Sequence, residues 1–164
     1  MQQEYKQAFL AYKEKRFEDA LIILKDLTAH NHPPSKWLLG RMHALGEGVE
    51  KNSVRAAELL TESGSAGFTF AQVQLAWLFI RTLDQVELGI KILKAAADDG
   101  YPIAQNDLGQ LYYRDDIVPT NPKMTIKYLT LAAENGEINA QLTLGSIYSK
   151  NDFVSADLSK SLYH

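Results

Sequence analysis

Few residues of this 164-residue chain have both the type and the spacing to do chemistry. His30 and His32 stand two apart with His43 further along, and three histidines are a ligand set for zinc. No carboxylate falls at ligand spacing beside them, and the pair directly precedes Pro33-Pro34, which reads as a turn. Asp98-Asp99 and Asp115-Asp116 are paired acids. Neighbouring carboxylates on a helix point in different directions, so they lack the facing geometry of a glycosidase pair. We expect both pairs on a solvated surface, Asp115-Asp116 as an acidic rim on a loop. Gly46-Glu47-Gly48-Val49 has the glycines of a phosphate loop but neither a preceding strand nor a Gly-Lys-Ser/Thr ending. No Gly-x-Ser-x-Gly elbow and no Ser-x-x-Lys pair is present. With no cysteine there is no thiolate for a metal, a disulfide or a nucleophile. The expectation is a non-enzymatic protein with no cofactor and no metal, a hydrolase-like enzyme being the minor alternative.

Hydrophobic residues make up 46% and charged residues 23%, the balance of a folded chain long enough to bury a core. The net charge of -3 argues against nucleic acid as the main ligand, since phosphate binding draws on a basic surface. No apolar run approaches the roughly 18 residues of a membrane span. The start, Met1 to Ala8, is polar and lacks the apolar stretch of a signal peptide. We therefore expect a cytoplasmic location, or a periplasmic one if a leader has been removed.

The elements that position these residues are repeats. Ala71-Gln-Val-Gln-Leu-Ala-Trp-Leu-Phe79, Ala104-Gln-Asn-Asp-Leu-Gly-Gln-Leu-Tyr112 and Ala140-Gln-Leu-Thr-Leu-Gly-Ser-Ile-Tyr148 align, with Ser35 to His43 as a diverged fourth. Their first residues are 36, 33 and 36 apart. A second pattern follows each of the earlier ones: Ala56 to Gly67, Gly89 to Gly100 and Thr125 to Gly136 carry Leu60, Leu93 and Leu129 in the same place. Each ends in a glycine four residues before the next unit, and Ala20 to Asn31 fits with asparagine in that slot. Leu108, Leu111 and Tyr112, like Tyr128, Leu129 and Ala132, keep the spacing of an amphipathic helix. Glycine suits the left-handed residue that closes a helix. Gly40, Ala76, Gly109 and Gly145 recur at a cost in helix propensity, which points to close packing on Ala56, Gly89 and Thr125 of the paired helix. Ser53 or Asn121 is expected to cap a second helix, with Pro122 in its first turn.

This helix–turn–helix repeat resembles the Sel-1-like repeat family, within the tetratricopeptide-like superfamily. Leu39-Gly40, Gly46-Glu-Gly48-Val49, Asn52, Arg55-Ala56 and Gly67 carry the resemblance, as do Leu108-Gly109, Tyr112, Val118, Asn121, Leu131-Ala-Ala133 and Gly136. His43 replaces the tyrosine, Asp115 and Ile117 replace the loop glycines, and the second unit has lost three loop residues near Thr82–Gln85. The resemblance implies an all-α, right-handed α/α solenoid of about four to five stacked units in one domain. Its parts would be a tetratricopeptide-like unit at 1–34, Sel-1-like repeats at 35–70, 71–103 and 104–139, and a partial repeat at 140–164. Helices are expected at Glu4–Lys15 and Phe17–His30. Leu158 and Leu162 would leave an apolar edge open to a second copy, making a homodimer.

In stacks of this kind the first helix of each pair lines the concave side. The resemblance then implies that the residues three before, one after and four after the small slot face a partner. These are Tyr5, Phe9 and Tyr12; Trp37, Arg41 and Ala44; Val73, Trp77 and Ile80; Asn106, Gln110 and Tyr113; Leu142, Ser146 and Ser149, with Arg81 and Arg114 one position beyond. Aromatic residues and arginine dominate interface hot spots, and Asn and Gln can clamp a peptide backbone. The competing reading places these aromatics in the core. The resemblance implies a protein-interaction scaffold or adaptor that binds another protein, with no nucleic acid and no membrane. The alternative is an immunity-type inhibitor that neutralises a toxin by direct binding.

Overall fold

The computed structural model describes residues 1–150. The Leu158 and Leu162 edge, and the homodimer expected through it, lie outside the described residues. Among the described residues there are helices and no strand: α1 Gln2–Lys13, α2 Phe17–Ala29, α3 Pro33–Leu45, α4 Ser53–Ser65, α5 Thr69–Arg81, α6 Val86–Asp98, α7 Pro102–Arg114, α8 Pro122–Glu134 and α9 Ile138–Lys150. The fold class is an all-α solenoid, in which helices pack on their neighbours in the chain. The chain divides into two compact units, Met1–Gly89 and Ile90–His164, so that the division falls inside α6. In unit 1, α1 packs on α2, α2 on α3, α3 on α4 and α4 on α5, while α1 and α5 each also touch α3. In unit 2, α7 packs on α8 and α8 on α9.

Local chemistry sets where the helices start and stop. Asn52 and Asn121 cap α4 and α8: their side-chain oxygens accept from the Arg55 and Met124 amides at 2.9 and 3.1 Å. Asn52, not Ser53, caps α4; Ser53 is already the first helical residue. Pro33-Pro34, expected in a turn, opens α3, and Pro102 opens α7, because a first-turn residue needs no amide hydrogen. The even helices close alike. Gly67, Gly100 and Gly136 take φ of 89°, 87° and 86°, and Asn31 does the same work at 57°. The residue after each donates back to the last helical turn, as in Phe68 N–H to Ser63 O and Glu137 N–H to Ala132 O.

The small slot packs as expected only in part. A Cβ on Gly40 would meet Leu60 Cγ at 3.1 Å and the Ala56 carbonyl at 3.3 Å. Gly89, at the start of α6, sits 2.6 Å from the Ala76 carbonyl by the same measure. Gly109 faces Leu129 rather than Thr125, and Gly145 meets nothing within 4 Å.

Candidate functional site

The expected partner-binding residues of unit 1 lie on α1, α3 and α5. Tyr5, Phe9 and Tyr12 form a half-buried row along α1. Tyr5 packs on Phe9 at 6.2 Å and on the His32 ring at 5.4 Å between centroids, and burial pushes its phenol up to about 12. Tyr12 joins α1 to α3 and its loop: its hydroxyl donates to Glu47 Oε2 at 2.5 Å and accepts from Arg41 Nε at 3.0 Å. Burial, then the Glu47 carboxylate, holds the Tyr12 phenol above its usual range. The Arg41 guanidinium lies 5.9 Å from the centre of the Tyr12 ring. On α5, the exposed Arg81 lies 4.8 Å over the ring of the half-buried Trp77.

Trp37 is a correction. It is 7% exposed, sealed by Phe68 and Phe70 with ring centroids at 5.8 and 5.3 Å, and its indole N–H is buried without a hydrogen bond. Phe68 is the N-cap of α5 and Phe70 lies in its first turn, so the slot that leaves Tyr5 half-exposed is closed over Trp37. Val73, in the same slot of α5, is buried as aliphatic side chains usually are. Ile80 is buried because the short α5–α6 connection brings Gly89 down on it, with 2.5 Å between Ile80 Cγ1 and the place of a Gly89 Cβ. The slot one after the small residue is half-buried in every odd helix: Phe9, Arg41, Trp77, Gln110 and Ser146.

In unit 2, Asn106, Gln110 and Tyr113 are half-buried and Arg114 is exposed, all on α7. The peptide clamp expected of Asn106 and Gln110 does not stand open. Gln110 Nε2 donates to Thr143 Oγ1 at 2.7 Å, tying α7 to α9, and Asn106 Oδ1 is buried without a hydrogen bond. Tyr113 packs against the cluster of Leu129, Ala132, Ala140 and Ile147. On α9, Leu142 and Ser149 are exposed.

The Sel1 repeat pattern matches residues 33–68 and 102–137, which frame the α3–α4 and α7–α8 pairs. Those two stretches are Sel1 repeats. A Sel1 repeat protein from Oxalobacter formigenes shares the fold at a TM-score of 0.76 and 19% identity, over 92% of this chain and 62% of that one. A protective antigen of uropathogenic Escherichia coli strains, which displays an SLR fold, matches at a TM-score of 0.66 and 23% identity, over 80% of this chain and 29% of that one. The chain thus spans less than two thirds of either structure. No curated protein matches it by sequence. Sel1 repeat proteins generally act as scaffolds for protein interaction and are typically non-enzymatic.

The Sel1 frame also explains a recurrence whose role the sequence left unread. The glutamine after each first alanine donates to a carbonyl eight residues earlier, at the end of the preceding even helix: Gln72 to Gly64, Gln105 to Ala97 and Gln141 to Ala133, at 3.4, 3.0 and 3.1 Å. Each of these carbonyls also accepts from the amide of the closing glycine, so the glutamine adds a second bond at the helix end and joins it to the next helix. The Ala-Gln pair recurring in the sequence was the available signal. The residues weighed for chemistry have structural surroundings. The His30, His32 and His43 Nδ1 atoms meet Asp26 O, Ser35 Oγ and Glu50 O at 2.9, 2.8 and 3.3 Å. Among the described residues no group of three or more His, Asp or Glu side chains is placed to hold a metal. Asp98, at the end of α6, accepts from the Tyr128 hydroxyl, and Asp115 accepts from the Thr120 amide at 2.9 Å. No described helix is long and apolar enough to cross a membrane.

Proposed function

We propose that this chain is an interaction scaffold that takes a segment of a partner protein on the odd-helix face of unit 1. The observation that carries the reading is Trp77, half-buried on α5 with the guanidinium of the exposed Arg81 4.8 Å over its ring. A large aromatic beside a cation is the composition of an interface hot spot. Tyr12 with Arg41 repeats the arrangement between α1 and α3. The amide clamp of unit 2 is not part of the proposal, because Gln110 already bonds Thr143.

The test is affinity capture from the native organism, followed by titration of the captured partner against the purified full chain and its Trp77→Ala variant. Loss of a hot-spot aromatic weakens binding by about 2 kcal/mol or more, roughly thirtyfold. A Trp77→Ala protein that keeps the helical circular dichroism of the parent and binds the same partner with unchanged affinity takes this face out of the interaction.

A further inference from the structure

The arginines fall into two groups. Arg16 holds Glu14 and Asp19 at 2.7 and 2.6 Å, and Arg55 holds Glu58 at 2.7 Å. Arg41, Arg81 and Arg114 make no ion pair among the described residues. Two of these three lie near aromatic rings, Arg81 at 4.8 Å from the centre of the Trp77 ring and Arg41 at 5.9 Å from that of Tyr12. Arg41 is fixed further by the bond from its Nε to the Tyr12 hydroxyl, which Glu47 holds from the other side. Its two terminal amino groups make no hydrogen bond among the described residues.

A second pattern points the same way. In unit 1, α1 and α5 end in the exposed Lys13 and Arg81 and α3 has His43 in its last turn, whereas α2 and α4 carry no base there. A helix dipole favours a cation at every C-terminus, so it does not account for the lack of one on α2 and α4.

We infer that the segment bound on the odd-helix face of unit 1 is acidic, with carboxylates received by Arg41 and Arg81. The inference rests on the scaffold reading above and gives its ligand a chemistry. A guanidinium held beside a ring still has its two terminal amino groups to offer, and these bind a carboxylate through two parallel hydrogen bonds. The ring holds the plane in place, so less side-chain freedom is lost on binding. A protein segment fits better than nucleic acid. Each ring that would stack on a base already has an arginine beside it, Arg81 at 4.8 Å and Arg41 at 5.9 Å from the ring centre.

The experiment uses an array of immobilised Asp/Glu-rich peptides, the same peptides with Asn and Gln in place of the acids, and a labelled single-stranded oligonucleotide as competitor. The probes meet the full chain, R41Q, R81Q, the controls R16Q and R55Q, and Trp77→Ala, each checked by circular dichroism. The expected result is retention of acidic peptides over their amide counterparts, weakened about tenfold by R41Q and by R81Q, unchanged in R16Q and R55Q, and falling as salt is raised. If R41Q fails to fold, Arg41→Lys keeps the charge without the planar fork and is expected to bind more weakly than the parent. The inference is overturned if no acidic peptide is retained, if amide peptides bind equally well, or if R16Q and R55Q lose as much as R41Q and R81Q. Displacement of the acidic peptides by the oligonucleotide overturns it in favour of nucleic acid. Amide peptides that bind and are lost only in Trp77→Ala sink the acidic ligand and leave the scaffold reading standing. Peptide binding unmoved by every one of these substitutions sinks both.

Discussion

The repeats at 33–68 and 102–137 share one frame and fill it differently. Their boundaries agree atom by atom: Asn52 and Asn121 cap, Gly67 and Gly136 close, and Gly46 in one loop corresponds to Asp115 in the other, both left-handed at φ 74° and 55°. Their interiors part company. Where the first repeat buries Lys36 against Glu62 and Asn31 at 2.6 and 2.7 Å, the second places Gln105, bonded to Ala97 O and Asn135. Where the first seals Trp37 under two phenylalanines, the second has the half-buried Asn106. The backbone frame therefore depends on a handful of caps and small residues, and the remaining slots are free to carry either packing or polar contacts. A residue's slot in the repeat gives its direction, and its neighbours decide whether it stays accessible.

The largest expected effect separates the two repeats at Trp37. Trp37→Ala removes a buried aromatic and is expected to cost about 3–5 kcal/mol, whereas Asn106→Ala in the same slot stays within about 1 kcal/mol. Urea denaturation followed by circular dichroism gives both, and equal losses break the distinction. The next contrast lies in the small slot. A Cβ on Gly109 would meet Leu129 Cγ at 2.7 Å and the Leu129 backbone nitrogen at 3.1 Å, while Gly40 has 3.1 Å as its tightest approach. Gly109→Ala is expected to destabilise by about 1–3 kcal/mol, and Gly40→Ala by less, because part of the strain is offset by the helix propensity of alanine, about 1 kcal/mol. A Gly40→Ala variant less stable than Gly109→Ala reverses the order and with it the packing argument.

Periodicity made the helices legible because each must bury one stripe, and the recurring glycines and asparagines marked the ends because few residues tolerate a left-handed backbone. Direction within a helix was legible too: the slot after the small residue is half-buried in every odd helix. Accessibility was harder to read. Trp37 is closed by Phe68 and Phe70 at the start of α5, and Ile80 by Gly89 after a shortened loop. Those contacts join segments about ten to thirty residues apart, which no helical period encodes. The polar residues failed as a clamp for a similar reason: the Thr143 that occupies Gln110 belongs to the next odd helix.

The smallest contrast concerns the residues that precede the two odd helices. His32 and Tyr101 occupy the same N-cap position of α3 and α7, with nearly identical backbone angles. Only the histidine titrates near neutrality. Its pKa is lowered, first by burial and then by the positive charge of the chain's amino terminus. The unfolded chain therefore takes up a proton at a pH where the folded chain resists it. Stability from this source is complete above the ordinary histidine range and falls as the pH drops through it. The α1–α3 contact, where the His32 ring meets Tyr5 and its Nδ1 meets Ser35 Oγ, is where the loss is felt. A His32→Gln variant keeps a polar group beside Ser35 and removes the titration. Its urea midpoint is expected to change less between pH 7.5 and 5.5 than that of the parent. A steeper acid limb in the variant, or parallel curves, would show that His32 does not set this dependence.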